Sequence, residues 1–258
     1  MRTVGAILTA IGWSVAAAAF AHDSFIVPPP SVIVGQPVVV LVTSSSFFPE
    51  PETRIRPERI AHVDARADGT PLTWSATADD VAMTLTTSPA SAAQTGAVIV
   101  VSLAPYDIDV ASDEVGHYMD EIGATPAVRA AAETAAASGA MHETYAKHLK
   151  TIVCAATCAD NAAPGPATFE FVADPTSLRG FTLFLNGSPV PNQPVFVVTE
   201  ATGRGALMTD GQGRVVLPEG LSGLVYVSAV KLEPPLATGD RFVSQWASLT
   251  FDARLLNR

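Results

Sequence analysis

The sequence has few charged residues, few aromatic residues and only two cysteines, and these shortages narrow the class of protein. Charged residues make up 16% of its 258 positions, with 25 acidic against 15 basic side chains, so the net charge is −10. This balance argues against a nucleic-acid-binding protein, because neutralising phosphates needs clustered cations. Aromatic residues make up only 7% of the chain, so most of its 48% hydrophobic content is aliphatic.

Proline and glycine are frequent and interrupt the chain at short intervals. The sequence contains 20 Pro and 18 Gly, which leaves little room for long helices. Many of the residues between them are Val and Thr, which favour pleated, half-buried strands. We therefore predict a mainly β fold.

Residues 1–21 have the pattern of a secretory signal peptide. Arg2 is followed by an apolar run over 4–20, and Ala19-Phe20-Ala21 matches the small-x-small cleavage pattern. We expect cleavage after Ala21 and a periplasmic or secreted protein; a retained membrane anchor is the alternative. No later segment offers about twenty uninterrupted apolar residues, so we expect no membrane span after signal removal.

Residues 22–108 have the pattern of a β-sandwich. Residues 81–87 alternate between polar and apolar side chains, and residues 97–103 form a nearly continuous apolar run that suits a buried strand. Asp68-Gly69 predicts a hairpin turn. Several short strands at this spacing are typical of an immunoglobulin-like sandwich.

Residues 109–160 are predicted to form a helical insert. Residues 113–123 and 126–153 lose the period of two and become rich in Ala. Thr125 and Pro126 suit the cap and first turn of a helix. The apolar residues of the longer segment recur at roughly helical spacing, namely Val128, Ala132, Ala135, Met141, Tyr145, Leu149 and Ile152.

Alternation returns in residues 167–258, which predict a second β-sandwich. Turn residues such as Asn186-Gly187 separate its strands. Six strands are predicted: 168–172, 181–185, 195–199, 213–217, 224–231 and 243–251.

Signal cleavage after Ala21 would give His22 a free α-amine beside its own imidazole. These two nitrogens can chelate a transition metal such as nickel or copper. The alternative is that the peptidase cuts at this position without any consequence for metal binding. His22 is therefore a candidate metal ligand.

A second group of candidate ligands lies in the predicted helical insert. If 113–123 is helical, His117 and Glu121 share one face, because residues four apart are neighbours on a helix. Their imidazole and carboxylate could hold a divalent metal, and a solvated acidic helix face is the alternative. His142 and His148 are six residues apart, so a regular helix cannot bring both to one ion. His148 is the better candidate because it follows Tyr145 by about one turn.

Cys154 and Cys158 are the only cysteines in the chain. In an exported protein the expected state is a disulfide. A thiolate pair that binds metal is the alternative.

A family resemblance is carried by six segments of the chain, namely 22–28, 35–38, 48–51, 118–123, 143–145 with Lys150, and 246–251. Together these segments resemble family 4198 of the domains of unknown function, often labelled a periplasmic nickel-uptake substrate-specific component. The resemblance covers most of the chain after the signal peptide and implies nickel or cobalt as the bound metal, whereas the amine and imidazole of His22 favour copper. Residues 168–251 are similar to carboxypeptidase-regulatory or transthyretin-like sandwiches, which mostly bind partners.

These observations predict a periplasmic accessory protein that binds nickel, cobalt or copper for uptake or delivery, with His22, His117, Glu121 and His148 as candidate ligands. The alternative is a metal-free interaction module that serves a membrane transporter or another envelope protein. The sequence contains none of the nucleophile elbows, zinc helices or phosphate loops that mark common enzyme classes, so we do not expect an enzyme. A histidine-brace oxidative enzyme stays open, because it would need only a second imidazole near His22.

Overall fold

A computed structural model describes residues 23–30, 35–89, 91, 96–137, 139–154, 164–174, 177–237 and 239–257. These residues form a mainly β fold, as predicted, with three sheets and two α-helices. In chain order the elements are β1 (Asp23–Val27), β2 (Val39–Ser45), β3 (Thr53–Arg54), β4 (Ile60–Ala67), β5 (Thr70–Pro71), β6 (Trp74–Ala78), β7 (Met83–Thr87), β8 (Gly96–Leu103), β9 (Tyr106–Ala111), α1 (Val115–Glu121), α2 (Pro126–Ala136), β10 (Ala140–Cys154), β11 (Phe169–Asp174), β12 (Ser177–Leu185), β13 (Ser188–Pro189), β14 (Pro194–Thr199), β15 (Gly203–Met208), β16 (Arg214–Val216), β17 (Leu224–Glu233) and β18 (Phe242–Asp252).

A nine-stranded central sheet runs through the molecule; eight of its strands follow the order β15-β14-β17-β18-β10-β8-β4-β5, and the ninth, β9, pairs with β10. β10 lies near its middle, parallel to β18 and antiparallel to β8. β9 pairs with the first part of β10, from Ala140 to Tyr145, whereas β8 pairs with the part from His148 to Cys154. The sheet therefore takes strands from all three predicted segments, and no boundary between two sandwiches divides it.

Three layers cover the two faces of the central sheet. An N-terminal sheet of β1, β2, β3, β6 and β7 packs on one face, around apolar residues that include Val40, Val42, Leu85, Ile99, Val101 and Leu149. The two helices pack around Met119, Ala132, Met141, Val230, Phe242 and Trp246. A C-terminal sheet of β11, β12, β13 and β16 packs around Phe171, Leu183, Val100, Ile152, Val227 and Leu249.

The alternation of side chains along β8 and β10 places the N-terminal sheet and the C-terminal sheet on opposite faces of the central sheet. Ile99 and Leu149 contact the N-terminal sheet, whereas Val100 and Ile152 contact the C-terminal sheet. Successive side chains of a strand point to opposite faces, so every residue of β8 is buried. This double burial explains the continuous apolar run at 97–103, and the buried strand predicted there is confirmed.

The prediction of helix over 126–153 is wrong beyond residue 136. α2 begins at Pro126, with the Thr125 hydroxyl accepting a hydrogen bond from the Val128 N–H at 3.3 Å. It ends at Ala136, and residues 140–154 form β10, the longest strand described. Gly139, at a φ of 137°, interrupts the segment, and the β-branched and aromatic residues that follow favour a strand. The other helical segment is confirmed in part as α1.

The strands predicted in the C-terminal region are confirmed within a few residues as β11, β12, β14, β16, β17 and β18. The sequence analysis missed β15, whose glycines and exposed side chains do not alternate. Both predicted hairpin turns are present. Asp68-Gly69 and Asn186-Gly187 have positive φ at both positions, as a type I′ turn requires.

A buried ion pair joins β10 to the C-terminal sheet. Lys150 Nζ lies 2.9 Å from Glu170 Oε2 and 3.0 Å from the carbonyl oxygen of Phe171, and the two charged side chains are 3% and 5% exposed. Glu170 also accepts a hydrogen bond from the N–H of Gly165. A buried pair with these partners is stable as a unit, whereas either charge without the other is costly.

We predict that Lys150→Met lowers the free energy of unfolding by about 3–5 kcal/mol, because it leaves Glu170 buried without its cation. The double variant Lys150→Met with Glu170→Leu should recover most of this loss. Urea denaturation measures both effects. Lys231→Met, at a half-buried lysine of β17, is the control and should change stability by less than about 1 kcal/mol. An equal loss of stability in Lys150→Met and in Lys231→Met would contradict the prediction.

Candidate ligand-binding site

A cavity of about 380 Å³ opens on one face of the central sheet, between the N-terminal sheet and the helices. Tyr145 and Lys147 of β10 and Trp246 of β18 contribute to it from the central sheet. This volume is within the range of small-molecule sites. The described residues that line the cavity are Ser24, Ser44, Thr53, Arg54, Ile55, Arg56, Arg59, Leu103, Tyr106, Ile108, Tyr118, Tyr145, Lys147 and Trp246.

The position of Lys147 follows from the pairing of β10 with β18. Lys147 lies directly across the ladder from Trp246, and its Nζ lies 4.7 Å from the centre of the indole ring and 5.4 Å from the centre of the Tyr145 ring. Nζ also donates a hydrogen bond to Ser24 Oγ at 3.2 Å. These cation–π contacts and the hydroxyl partly replace the water that a lysine loses on burial.

Burial lowers the pKa of Lys147 from its ordinary 10.5 to about 8. Among its neighbours, the carboxylates of Asp23 and Glu143 act to raise this pKa, and the guanidinium of Arg59 acts to lower it. The side chain is 6% exposed. Lys147 is therefore mainly cationic at neutral pH, but it loses its proton at a lower pH than an ordinary lysine does.

Arg59 is the second cation of the cavity and ends a short 3-10 turn over Pro57–Arg59. Its guanidinium lies 4.4 Å from the centre of the Tyr106 ring and 5.4 Å from that of Tyr145, and Nη2 donates to the carbonyl oxygen of Ala104 at 2.9 Å. Its buried Nε has no hydrogen-bond partner within the part of the chain that the structure describes. Arg59 thus keeps donor capacity next to the cavity.

The charge of the lining is opposite to that of the whole protein. Four of the lining residues are cationic, and none of the described lining residues is acidic. The chain as a whole has 25 acidic and 15 basic residues. Cations gathered in a partly enclosed site of low dielectric focus the potential on that site, which therefore favours an anionic ligand. Three tyrosines and one tryptophan add apolar contact area.

A buried carboxyl lies behind the aromatic wall. Glu143 Oε1 accepts hydrogen bonds from the Tyr118 hydroxyl at 3.0 Å and from the Ser244 hydroxyl, and Ser244 Oγ accepts one from Trp246 Nε1 at 2.9 Å. Burial raises the pKa of Glu143, against the opposing effect of these two hydroxyls. Its Oε2 is buried without a partner among the residues described. This network fixes the Tyr118 and Trp246 rings, whose centres are 6.4 Å apart.

Of the predicted metal ligands that the structure describes, only His117 and Glu121 lie next to each other. His22 lies outside the described residues, and Asp23 begins β1. His117 and Glu121 share a face of α1 as predicted, with 3.4 Å between Nε2 and Oε1, but the His117 side chain is 60% exposed. The described part of the chain contains no group of three or more His, Cys, Asp or Glu residues that could hold a metal. His117 and Glu121 are therefore neighbours on α1, and His148 lies on β10; metal binding by any of them stays a prediction.

His148 lies on a strand rather than a helix, and it points away from the cavity because Lys147 points into it. Its Nδ1 lies 3.0 Å from Ser102 Oγ, and its Nε2 lies 3.0 Å from Gln245 Oε1. These bonds join β10 to the strands on either side and occupy both ring nitrogens. His148 is thus placed as a structural residue of the sheet.

The predictions on the cysteines, a membrane span and the signal peptide concern segments that the structure describes only in part. Cys154 is disulfide-bonded, and Cys158 lies outside the described residues. Among the helices described, none is long and apolar enough to cross a membrane. The predicted signal peptide also lies outside the described residues.

Comparison with models of known protein families finds no match, and comparison with curated proteins finds none either. The resemblance to family 4198 of the domains of unknown function therefore stays a prediction.

Sequence analysis did not identify the cavity. Tyr118, Tyr145 and Trp246 lie in segments that carry the resemblance, but nothing in their spacing joins them. Lys147 follows Tyr145 by two residues, which in a strand would place both on one face. Reading this segment as a strand was therefore the one signal that could have pointed to the site.

We predict that His148 makes stability depend on pH below about 6.5. Burial lowers the pKa of His148 from its ordinary 6.5, so the unfolded chain binds the proton more readily than the folded one. The contribution is fully present above the unfolded pKa, and stability should fall as pH drops from 6.5 through the lower folded pKa. Urea denaturation between pH 7 and pH 5 measures the slope of the free energy of unfolding against pH. The slope should set in below about pH 6.5.

His148→Gln should reduce that slope, because glutamine does not titrate in this range. His62→Gln, which removes an exposed histidine of β4, is the matched control. An unchanged slope in His148→Gln would contradict the prediction.

Proposed function

We propose that the protein is a periplasmic or secreted binding protein that holds a small organic anion in the cavity of Lys147. The observation that carries the proposal is the partly enclosed cavity with four cationic residues and, among the described residues, no acidic one. The ligand would present a carboxylate or a similar group to Lys147 and Arg59. Its apolar part would lie against Tyr106, Tyr145 and Trp246.

Two features of the site support a ligand with a carboxylate and an aromatic or aliphatic body. Lys147 Nζ and the Arg59 guanidinium each lie 5.4 Å from the centre of the Tyr145 ring, so both cations adjoin the same aromatic side chain of the cavity. The hydrogen bonds of Tyr118 and Trp246 to the Glu143 network hold two further rings in place, which provides a preorganised apolar wall.

The first test uses 3-phenyllactate and its uncharged amide as probes. We expect phenyllactate to bind at least about tenfold more tightly than the amide by isothermal titration calorimetry, because only the carboxylate satisfies the cations. Lys147→Met and Arg59→Met should each weaken phenyllactate binding by about tenfold or more. Affinity should also fall as pH rises through about 8, where Lys147 loses its proton.

The control is Arg66→Gln, which removes an arginine that pairs with Asp64 on β4 and does not line the cavity. It should bind phenyllactate as the unmodified protein does. Equal affinity for the acid and the amide, or no binding of either, would refute the proposed function.

Metal binding for uptake or delivery is a second proposal. It rests on His22, which would become the first residue after cleavage behind Ala21. Ser24 lines the cavity, so a chain processed at this position would begin two residues before a cavity-lining side chain. Nickel, cobalt or copper would bind through the α-amine and imidazole of His22. A membrane transporter or another envelope protein would be the partner that receives the metal.

We predict that protein beginning at His22 binds nickel or copper, and that one added residue before His22 abolishes most of this affinity. The added residue converts the amine to an amide, a poor ligand, and leaves the imidazole in place. His22→Ala should do the same, whereas His148→Gln should not, because both ring nitrogens of His148 are already hydrogen-bonded. Metal titration of the purified proteins measures the effect. Equal binding by the extended and processed chains would remove the His22 site; a chain that binds neither metal nor anion would favour the interaction module.

A further inference from the structure

The carboxyl group of Glu143 is hydrogen-bonded through one oxygen atom only. Oε1 accepts hydrogen bonds from the hydroxyl of Tyr118, at 3.0 Å, and from the hydroxyl of Ser244. Oε2 is buried without a hydrogen-bond partner among the described residues, and the whole residue is 0% exposed. A buried carboxylate is costly when one of its oxygens lacks donors, and a proton on that oxygen removes the charge.

This carboxyl group is linked to the cavity both by contact and by charge. Tyr118 donates to Oε1 of Glu143 and also lines the cavity. Glu143 and Lys147 are four residues apart on β10, so their side chains point to the same face of the strand. Burial has the largest effect on the pKa of Glu143 and raises it, whereas the ammonium of Lys147 acts to lower it. An anion that binds beside Lys147 therefore changes the proton affinity of Glu143.

We propose that the cavity takes up a proton together with its anion, and that Glu143 carries this proton on Oε2. The inference rests on the proposed anion-binding function and states how the same site responds to pH. An anion beside Lys147 offsets the field of the ammonium, which otherwise favours the carboxylate of Glu143. A proton from the solvent then neutralises Glu143, and it returns to the solvent when the anion leaves. Because coupling between two sites is reciprocal, protonation of Glu143 in turn strengthens anion binding.

Three further titratable side chains lie close to Glu143 and keep one protonation state in mildly acidic solution. Arg241 Nη2 donates to the backbone carbonyl oxygen of Glu143 at 3.1 Å, and its guanidinium stays charged. Burial raises the pKa of Tyr118 well above its ordinary value, so its hydroxyl keeps its proton. Lys147, with a pKa of about 8, stays cationic below pH 7. Asp23 also acts on Lys147 and favours this cationic form.

The neighbouring strand β9 presents its carboxylates to the other face of the sheet. Glu143 lies directly across the ladder from Ile108, so Asp107, Asp109 and His142 point away from it. On α1, Glu121 pairs with His117 and acts on Tyr118. A variant at Glu143 leaves both of these histidines in place, so it isolates the contribution of Glu143 to any change in proton binding.

The test measures proton uptake when 3-phenyllactate binds. Isothermal titration calorimetry in two buffers of different ionisation enthalpy gives the number of protons taken up, at pH values between 5 and 7. In this range the carboxyl of phenyllactate is ionised and Lys147 stays protonated. We expect the unmodified protein to take up protons on binding. Its affinity for phenyllactate should rise at least about fivefold from pH 7 to pH 5.

Two variants and a control assign the proton. Glu143→Gln has a neutral side chain of similar size that can still accept from Tyr118 and Ser244, so it should lose the proton uptake and bind equally well at pH 5 and pH 7. Ser244→Ala removes a hydroxyl that favours the carboxylate, so it should move the rise in affinity to higher pH, which a merely structural role would not do. Glu219→Gln removes an exposed carboxylate that pairs with Arg179 and should behave as the unmodified protein does.

The outcomes distinguish this inference from the function on which it rests. Phenyllactate binding without proton uptake, or with uptake that Glu143→Gln retains, would overturn the coupling and leave the anion site standing. If Glu143→Gln does not fold, Ser244→Ala decides the question: a shift of the affinity profile to higher pH supports the coupling, and an unchanged profile overturns it. An unmodified protein that binds no phenyllactate at any of these pH values would overturn both the inference and the proposed function.

Discussion

Both faces of β10 must be covered, and the rest of the structure depends on this constraint. Every residue from Ala146 to Cys154 is buried. Because alternate side chains point to opposite faces, the strand needs one layer on each side, and the N-terminal and C-terminal sheets provide them. Lys147 and Lys150 both lie in this buried stretch. Lys150 is paired with the carboxylate of Glu170, and Lys147 lies in the cavity beside the rings of Tyr145 and Trp246 and the hydroxyl of Ser24.

The cavity lies between the N-terminal sheet and the helices, which pack on the same face of the central sheet. The N-terminal sheet packs over the part of β10 that contains Leu149 and Val153, and the helices pack over the part near Met141. Tyr145 and Lys147 lie between these two regions and line the cavity. Behind its wall, the bonds from Tyr118 and Ser244 to Glu143 connect α1, β10 and β18. The position of the site is therefore a result of how the layers are arranged.

The pattern of apolar residues along the chain predicted those strands whose pattern fits only a strand. It failed where the spacing of apolar residues fits a helix as well as a strand. The apolar run at 97–103 predicted β8, because burial on both faces leaves a continuous run. In β10 the spacing of Tyr145, Leu149 and Ile152 also fits a helix, and the pairing that fixes the strand comes from β18, distant in sequence. This error led to His148 as a ligand because of its place after Tyr145, although strand alternation puts the two side chains on opposite faces. The cavity combines residues from several elements, a relationship that spacing along the chain does not contain.

The cavity is lined partly by residues of one sheet ladder and partly by residues of a separate turn, and this difference affects how its ligand preference can change. Tyr145, Lys147 and Trp246 belong to the hydrogen-bonded ladder of β10 and β18, where a change of backbone would disturb the whole sheet. Arg56 and Arg59 lie instead at a short turn outside that ladder. Substitutions in this turn can alter the size and charge of the cavity while the residues of the ladder stay constant. Descendants of one ancestral chain could thus acquire different ligand preferences through mutations of the turn, without evolving a new fold.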